Sequence, residues 1–286
     1  MTWLVWTLLS VLSIVFYYFF SKRMFNEDKN VDPRFYGGLL QLFVGMLALV
    51  PAIISGWKFE WNYTNILWLV VVGITYTIGP SLYYIGLKHT HLSVTTTLDA
   101  SGAIYALMLG TLVLGELLFW QKVVGAGLIL LGIVIVAGKS SALNKLTKHE
   151  TLLLIAPFFY AIGAIADKTL IESSNALSYL ALSFLVAGIT MTAVNIPRLK
   201  SVGAENVTKP SFLKIVVINA VFVAISGYAS YRAYQLGGEV SSMYPIMQSE
   251  SVVVPFMAML VFGERERFAH KVIGALLAFG GVALLG

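Results

Sequence analysis

Leu128-Ile129-Leu130-Leu131-Gly132-Ile133-Val134 is an unbroken apolar run inside the stretch 121–138. A half-buried strand would alternate apolar with polar residues, and a membrane β-barrel would repeat that alternation in every crossing. This run does neither, so it reads as a helix without a wet face. A bilayer's hydrocarbon core takes about 20 mainly apolar residues to cross. Segments of that kind recur at 2–21, 35–55, 64–87, 92–114, 121–138, 151–171, 176–197, 212–236, 239–262 and 268–286, ten membrane helices by this reading.

Composition points the same way. Of 286 residues, 58% are hydrophobic and 12% are charged, and the mean hydropathy is +0.83. Soluble domains carry about 25% charged residues, so a soluble chain is excluded, and a disordered one more firmly. With no cysteine, disulfides, thiol catalysis and thiolate metal sites are excluded as well. The first segment does not read as a cleaved signal peptide. It has no basic leader and continues into Phe16-Tyr17-Tyr18-Phe19-Phe20 instead of a small-residue cleavage site. The longest connections, roughly 22–34, 139–150 and 198–211, leave no room for a soluble domain.

The net charge of +5 marks one membrane face and no nucleic-acid partner. Odd-numbered connections hold Lys22, Arg23, Lys29, Arg34, Lys88, Lys139, Lys145, Lys148, Arg198, Lys200, Lys209, Lys214, Arg265, Arg267 and Lys271. The even ones hold only Lys58 and Lys122. Cytoplasmic loops carry the excess of Lys and Arg, which places the odd connections inside and both termini outside.

The chain also repeats itself. A shift of 148 residues brings Tyr83 onto Tyr231, Ser93 onto Ser241 and Ser101 onto Ser249. The same shift brings Gly115-Glu116 onto Gly263-Glu264, Leu128 onto Leu276, Gly132 onto Gly280, Val134 onto Val282 and Gly138 onto Gly286. Ser21-Lys22 falls two residues from the register of Asp167-Lys168. Each half holds five helices, an odd number, so the second must lie inverted against the first. The predicted fold is all-α and polytopic: ten transmembrane helices as two inverted five-helix repeats, 1–148 and 149–286, in one transmembrane domain. Inverted repeats are a recurrent transporter design, with the binding site near the midplane between the halves.

Leu114-Gly115-Glu116 and Phe262-Gly263-Glu264, the tyrosine-rich third and eighth helices, and the glycine-bearing tails Gly125 to Gly138 and Gly274 to Gly286 resemble the drug/metabolite transporter superfamily, specifically its EamA-type members. The resemblance covers essentially the whole chain. It implies a secondary transporter for small organic molecules, leaning toward export. In it helices one, three, four, six, eight and nine surround a cavity, two and seven stand at the sides, and five and ten support the packing. Two departures stand out. Helix four lacks the proline common in such proteins, and members are usually described with both termini cytoplasmic, opposite to the loop charges here.

Ionisable residues inside a span cost about 2.5–3.5 kcal/mol on insertion scales and so are functional candidates. Glu250 lies near mid-bilayer between Pro245 and Pro255, prolines that would free the carbonyls of Ser241 and Ser251. With Gln248, Ser249 and Ser251 it reads as a cavity wall, or else as a buried neutral or paired carboxyl holding helices together. Asp99, in Thr95-Thr96-Thr97-Leu98-Asp99, lines a cavity or serves as a structural cap. Arg232 and Lys168 either snorkel to the interface or, for Arg232, pair with Glu250 or meet an anionic substrate. Tyr76 and Tyr83 share one face of helix three, and Tyr231 lies on helix eight and Tyr244 on helix nine. These are interfacial anchors or the walls of a pocket for a moderately apolar or cationic compound.

His89 and His91 have no acidic or cysteine neighbours, so no metal site is expected, and no cofactor. No nucleophile–base arrangement occurs, which reads against an enzyme. Expected partners are a small-molecule substrate, the lipid bilayer and protons as the candidate coupling ion, in a monomer or weak homodimer of a prokaryotic plasma membrane. A lipid scramblase or a structural bundle without a cavity is the competing class. The loop charges carry a direct test. A cysteine introduced into 139–150 is expected to be shielded from impermeant thiol reagents in intact cells, and labelling there would invert the topology.

Overall fold

The computed structural model describes residues 2–27, 32–90, 92–137, 146–202, 210–254 and 268–285. Its helices are α1 (Trp3–Glu27), α2 (Pro33–Ile54), α3 (Tyr63–His89), α4 (Leu92–Asp99), α5 (Gly102–Leu114), α6 (Trp120–Ala137), α7 (Lys148–Ile171), α8 (Ala176–Val202), α9 (Pro210–Gln235), α10 (Val240–Met247) and α11 (Phe268–Leu285). Several begin at side-chain caps that satisfy otherwise orphaned N–H groups. Asp32 accepts from the Arg34 and Phe35 backbone with Pro33 at the first position, Asn62 accepts from Asn65, and Thr147 forms a capping box with Glu150.

Six helices are each long and apolar enough to cross a membrane: α1, α2, α3, α7, α8 and α9. Large side chains such as Leu12, Ile74, Leu112, Leu276 and Phe279 point outward and exposed, as expected where the solvent is lipid. The predicted fourth helix is two helices in series, α4 and α5, and α10 is followed by a turn and a second helical stretch from residue 250. Counting each series as one crossing gives ten transmembrane helices.

The two interruptions are the same structure repeated. Ser101 N bonds Leu98 O at 3.2 Å, and Ser249 N bonds Ile246 O at 3.0 Å. Ala103 N bonds Ala100 O at 3.1 Å, and Ser251 N bonds Gln248 O at 3.0 Å. Ile104 N and Val252 N bond Ser101 O and Ser249 O at 3.0 and 2.9 Å. Each tightened i→i−3 bond in the first half thus has a partner 148 residues later, in the register of the sequence repeat. The Pro245 reading shifts with this result: that proline lies inside α10, and the break falls beyond it at Gln248–Ser249. Pro255 lies outside the described residues. Helix four breaks without any proline. Gly102 instead admits a close approach, since a Cβ there would fall 2.7 Å from the Tyr244 ring.

Helix packing follows the same pseudo-two-fold. The most extensive pairs are α2 with α8, α6 with α11, α3 with α7 and α1 with α9, with α5 against both α10 and α7. Exchanging the halves carries the α1–α9 pair onto α7–α3 and returns α2–α8 and α6–α11 to themselves, while α10 takes the place of α4 and the stretch from residue 250 that of α5. At α2–α8 a Cβ on Gly45 would meet Leu185 and one on Gly188 would meet Leu42, a reciprocal contact. At α6–α11 a Cβ on Gly132 would fall 2.5 Å from the Gly274 carbonyl, and one on Gly281 2.5 Å from that of Gly125. This mates the helix-five and helix-ten glycines inside one chain. It also pairs Gly132 with Gly281, one residue beyond the gapless alignment, while a Cβ on Gly280 would meet nothing.

The Gly-Glu motif joins the halves. Gly115 adopts φ +67°, a left-handed helix end that suits glycine, and Glu116 N closes onto Gly110 O at 3.1 Å. The Glu116 carboxylate then accepts from Val240 N at 2.7 Å and Ser241 N at 2.8 Å, capping the buried start of α10. Lys122 Nζ donates to Ser241 Oγ at 2.8 Å and forms an ion pair with Glu239. Glu264, the repeat partner of Glu116, lies outside the described residues. Removing the acceptor leaves two buried N–H groups without a partner, at a cost of about 1–3 kcal/mol. Glu116→Ala should therefore lower the thermal unfolding midpoint clearly. An unchanged midpoint would show that the cap contributes nothing.

Candidate functional site

The pseudo-two-fold arrangement leaves a cavity of about 260 Å³ between the halves. That is slightly below the roughly 300–1,000 Å³ typical of small-molecule sites. Its walls come from α1, α2, α3, α4, α7, α8, α9 and α10, and from Gln248 and Glu250 beyond the second interruption. Neither α6 nor α11 contributes, in keeping with their role as a glycine-mated support. Helices two and seven, expected only at the sides, supply Leu40, Gln41, Ser183, Phe184 and Ala187.

Of the residues singled out from sequence, Glu250, Asp99, Gln248, Tyr76, Tyr83, Tyr231 and Tyr244 line this cavity. Asp99 closes α4, and Glu250 opens the helical stretch after the second turn, so the interrupted helices present one carboxyl each. Both are buried, and they lie within Coulombic range of one another. Tyr18 donates to Glu250 Oε1 at 2.6 Å. Asp99 Oδ1, Gln248 Oε1 and Tyr83 Oη have no hydrogen-bond partner among the described residues. Most buried polar atoms do find one, so three orphans around one void are unusual.

Arg232 and Lys168 sit elsewhere. Arg232 Nη1 donates to Gln235 Oε1 at 2.6 Å, and the expected pairing with Glu250 is not formed. Lys168 Nζ donates to the Tyr234 carbonyl at 3.0 Å and lies 5.8 Å from the Tyr234 ring centroid. Neither cation lines the cavity: on α7 and α9 its lining includes Asp167, Tyr231 and Tyr234, and successive helical positions point about 100° apart. No Lys, Arg or His lines the cavity among the described residues. Nor do any three His, Cys, Asp or Glu side chains group as a metal site would require, again among the described residues.

Several lining residues escaped the sequence reading. Asp167, taken there as a neighbour of Lys168, receives hydrogen bonds from Tyr76 Oη at 2.5 Å and Tyr179 Oη at 2.7 Å. Tyr17 and Tyr18 on α1 were missed as well, and they stand in the wall beside Tyr84 and Tyr160, which the tyrosine pattern of helices three and six already offered. Tyr17 donates to Tyr84 Oη at 2.7 Å, and Ser183 Oγ pairs with Tyr231 Oη at 3.1 Å. A doubled tyrosine near the end of an apolar helix was the available signal for α1.

Outside the cavity lining, toward each membrane face, lies a fully buried tyrosine, Tyr36 on α2 and Tyr179 on α8. Both are fourth in their helices, and the spacing between them also carries Gly45 onto Gly188. At the end near the odd connections, Tyr36 Oη pairs with Ser21 Oγ at 2.8 Å and accepts from Asn219 Nδ2 at 2.7 Å. Phe25, Tyr84 and Phe212 pack edge-on around its ring. At the other end Tyr179 bonds Asp167 and packs on Tyr231, with ring centroids 4.8 Å apart. There a Ser/Asn partnership is replaced by a carboxylate.

Comparison with known proteins fits this geometry. No curated protein matches the sequence. One solved crystal structure is similar with a TM-score of 0.72 at 14% identity, covering 99% of this chain and 95% of that one, a likeness of fold alone. The EamA-like transporter family matches residues 1–138 and again 147–286, once for each half. With both five-helix halves matched, the chain belongs to the EamA-like transporter family, within the drug/metabolite transporter superfamily.

Proposed function

We propose that this member is a secondary active transporter that exports small organic metabolites or drug-like compounds by alternating access, driven by protons. The observation that carries the reading is the position of the cavity. It lies between pseudo-symmetric halves that both line it, and toward each face an equivalent tyrosine, Tyr36 or Tyr179, is fully buried. Halves related in this way can exchange roles, so the arrangement closed at one face has a mirrored counterpart at the other. Residues 1–148 and 149–286 are the two moving halves, in a prokaryotic plasma membrane with the odd connections in the cytoplasm.

Within the cavity we assign substrate contacts to Asp99, Gln248, Tyr76, Tyr83, Tyr231 and Tyr244, and proton coupling to Glu250. Arg232 and Lys168 act indirectly, by holding the end of α9 and Tyr234 in place. Glu250 suits coupling because it lies at an interrupted helix without a basic partner. The titratable groups around it are Tyr18, Tyr83, Tyr244 and Asp99. Proton release there leaves a charge that a substrate or a re-entering proton must compensate.

Transport into proteoliposomes under an imposed pH gradient tests this directly. The wild-type protein should accumulate substrate against its gradient when protons flow the opposite way. Glu250→Gln should lose that pH-driven component while still exchanging substrate down its gradient. Unchanged pH dependence in the variant would remove Glu250 from the coupling and leave transport itself standing.

A further inference from the structure

Within the transport reading above, we infer that the cavity selects organic monocations with an aromatic or apolar body. The argument begins with charge. Asp99, Asp167 and Glu250 all line the void, and no basic side chain among the described residues lines it with them. An ionised carboxyl kept from water needs a counter-charge or several hydrogen bonds. Asp167 has two tyrosine hydroxyls and Glu250 has one, whereas Asp99 Oδ1 has none. Asp99 is nine-tenths buried or more, at 6% exposure.

The other orphans match the same ligand. Gln248 Oε1 is an acceptor without a donor, at 4% exposure, on the same wall. A cationic N–H or an electron-poor C–H beside a quaternary nitrogen can meet Gln248 Oε1 and Asp99 Oδ1, and an anion can meet neither. Around the carboxyls stand the rings of Tyr18, Tyr83, Tyr160 and Tyr244. Tyr83 packs at 6.3 Å from Tyr18 and 6.2 Å from Tyr160, centroid to centroid. Aromatic faces attract cations, more strongly when desolvated. They also supply the apolar contact that a simple metal ion or ammonium could not use. One unpartnered carboxylate oxygen calls for one positive charge, and about 260 Å³ holds only a small organic body.

Three probes of one shape separate the alternatives. These are 1-methyl-4-phenylpyridinium, its uncharged parent 4-phenylpyridine at alkaline pH, and biphenyl-4-carboxylate. Titration calorimetry on the purified full-length protein should give the cation at least about tenfold higher affinity than either other probe. Tenfold lies within what a desolvated cation gains beside aromatic faces and an opposite charge. Asp99→Asn should remove about that factor for the cation and leave the neutral probe unchanged. Equal or tighter binding of the neutral or anionic probe, no binding of the cation, or a cation affinity that survives Asp99→Asn would each overturn the inference. If Asp99→Asn fails to fold, the comparison of probes on the wild-type protein decides alone. Proteoliposome uptake of the same three compounds separates this inference from the transport reading. Uptake of the anion without the cation overturns the charge selectivity and keeps transport. Tight cation binding with uptake of none overturns transport and keeps the site.

Discussion

A backbone N–H or C=O inside the hydrocarbon region has no water to bond, and leaving one unpaired costs several kcal/mol. Everything distinctive in this molecule follows from where it accepts that constraint and bends it. Two helices stop partway through the bilayer, at Ala100–Ser101 and at Gln248–Ser249. Irregular backbone at that depth is tolerable only against protein or a polar cavity. The interruptions face protein and the cavity, to whose lining they contribute Asp99, Gln248 and Glu250. The tightened i→i−3 bonds at each break keep carbonyls occupied, and Glu116 meets the N–H groups where α10 begins. Among the described residues Ser101 Oγ at the first break stays unpaired, as do Asp99 Oδ1, Gln248 Oε1 and Tyr83 Oη around the cavity, where they can be offered to a ligand.

Inversion gives that cavity two comparable ends. Tyr36 and Tyr179 occupy equivalent places, but their partners differ. Ser21 and Asn219 hold the first, and Asp167 holds the second. Of these partners only Asp167 is a carboxylate, so the pseudo-symmetry seen in backbone and packing among the described residues is broken in chemistry.

Much of this was legible in the residues. Ten apolar stretches and the shift of 148 residues are properties of covalent order, and each has a counterpart in the fold. Glu250, Asp99 and Gln248 stood out because a polar group at mid-bilayer depth is expensive wherever it points. Direction was the illegible part. Asp167 and Lys168 are adjacent in sequence, yet one turns to Tyr76 and Tyr179 while the other reaches the Tyr234 carbonyl. Only the packing of α7 against α3 and α9 decides between them. Arg232 likewise bonds a residue one turn away instead of crossing to Glu250. The break in helix four carried no proline to announce it, because its cause is the approach of Tyr244 and Pro157 to Gly102. The Gly-Glu pair marked the repeat clearly and concealed its task, since capping a helix of the opposite half is a tertiary relation.

The central claim is that two inverted halves open the same cavity to one membrane face at a time. Distances across the two faces, measured together by double electron–electron resonance, test it most directly. One spin-label pair would sit at His89 and Lys214, exposed at the end of α3 and the start of α9, and the other at Tyr63 and Leu236, exposed at the opposite face. The absence of native cysteine allows labels at these positions alone. The account predicts that substrate or a change of pH lengthens one distance as it shortens the other. Two distances that lengthen together, or that stay fixed while the protein turns over, would contradict it.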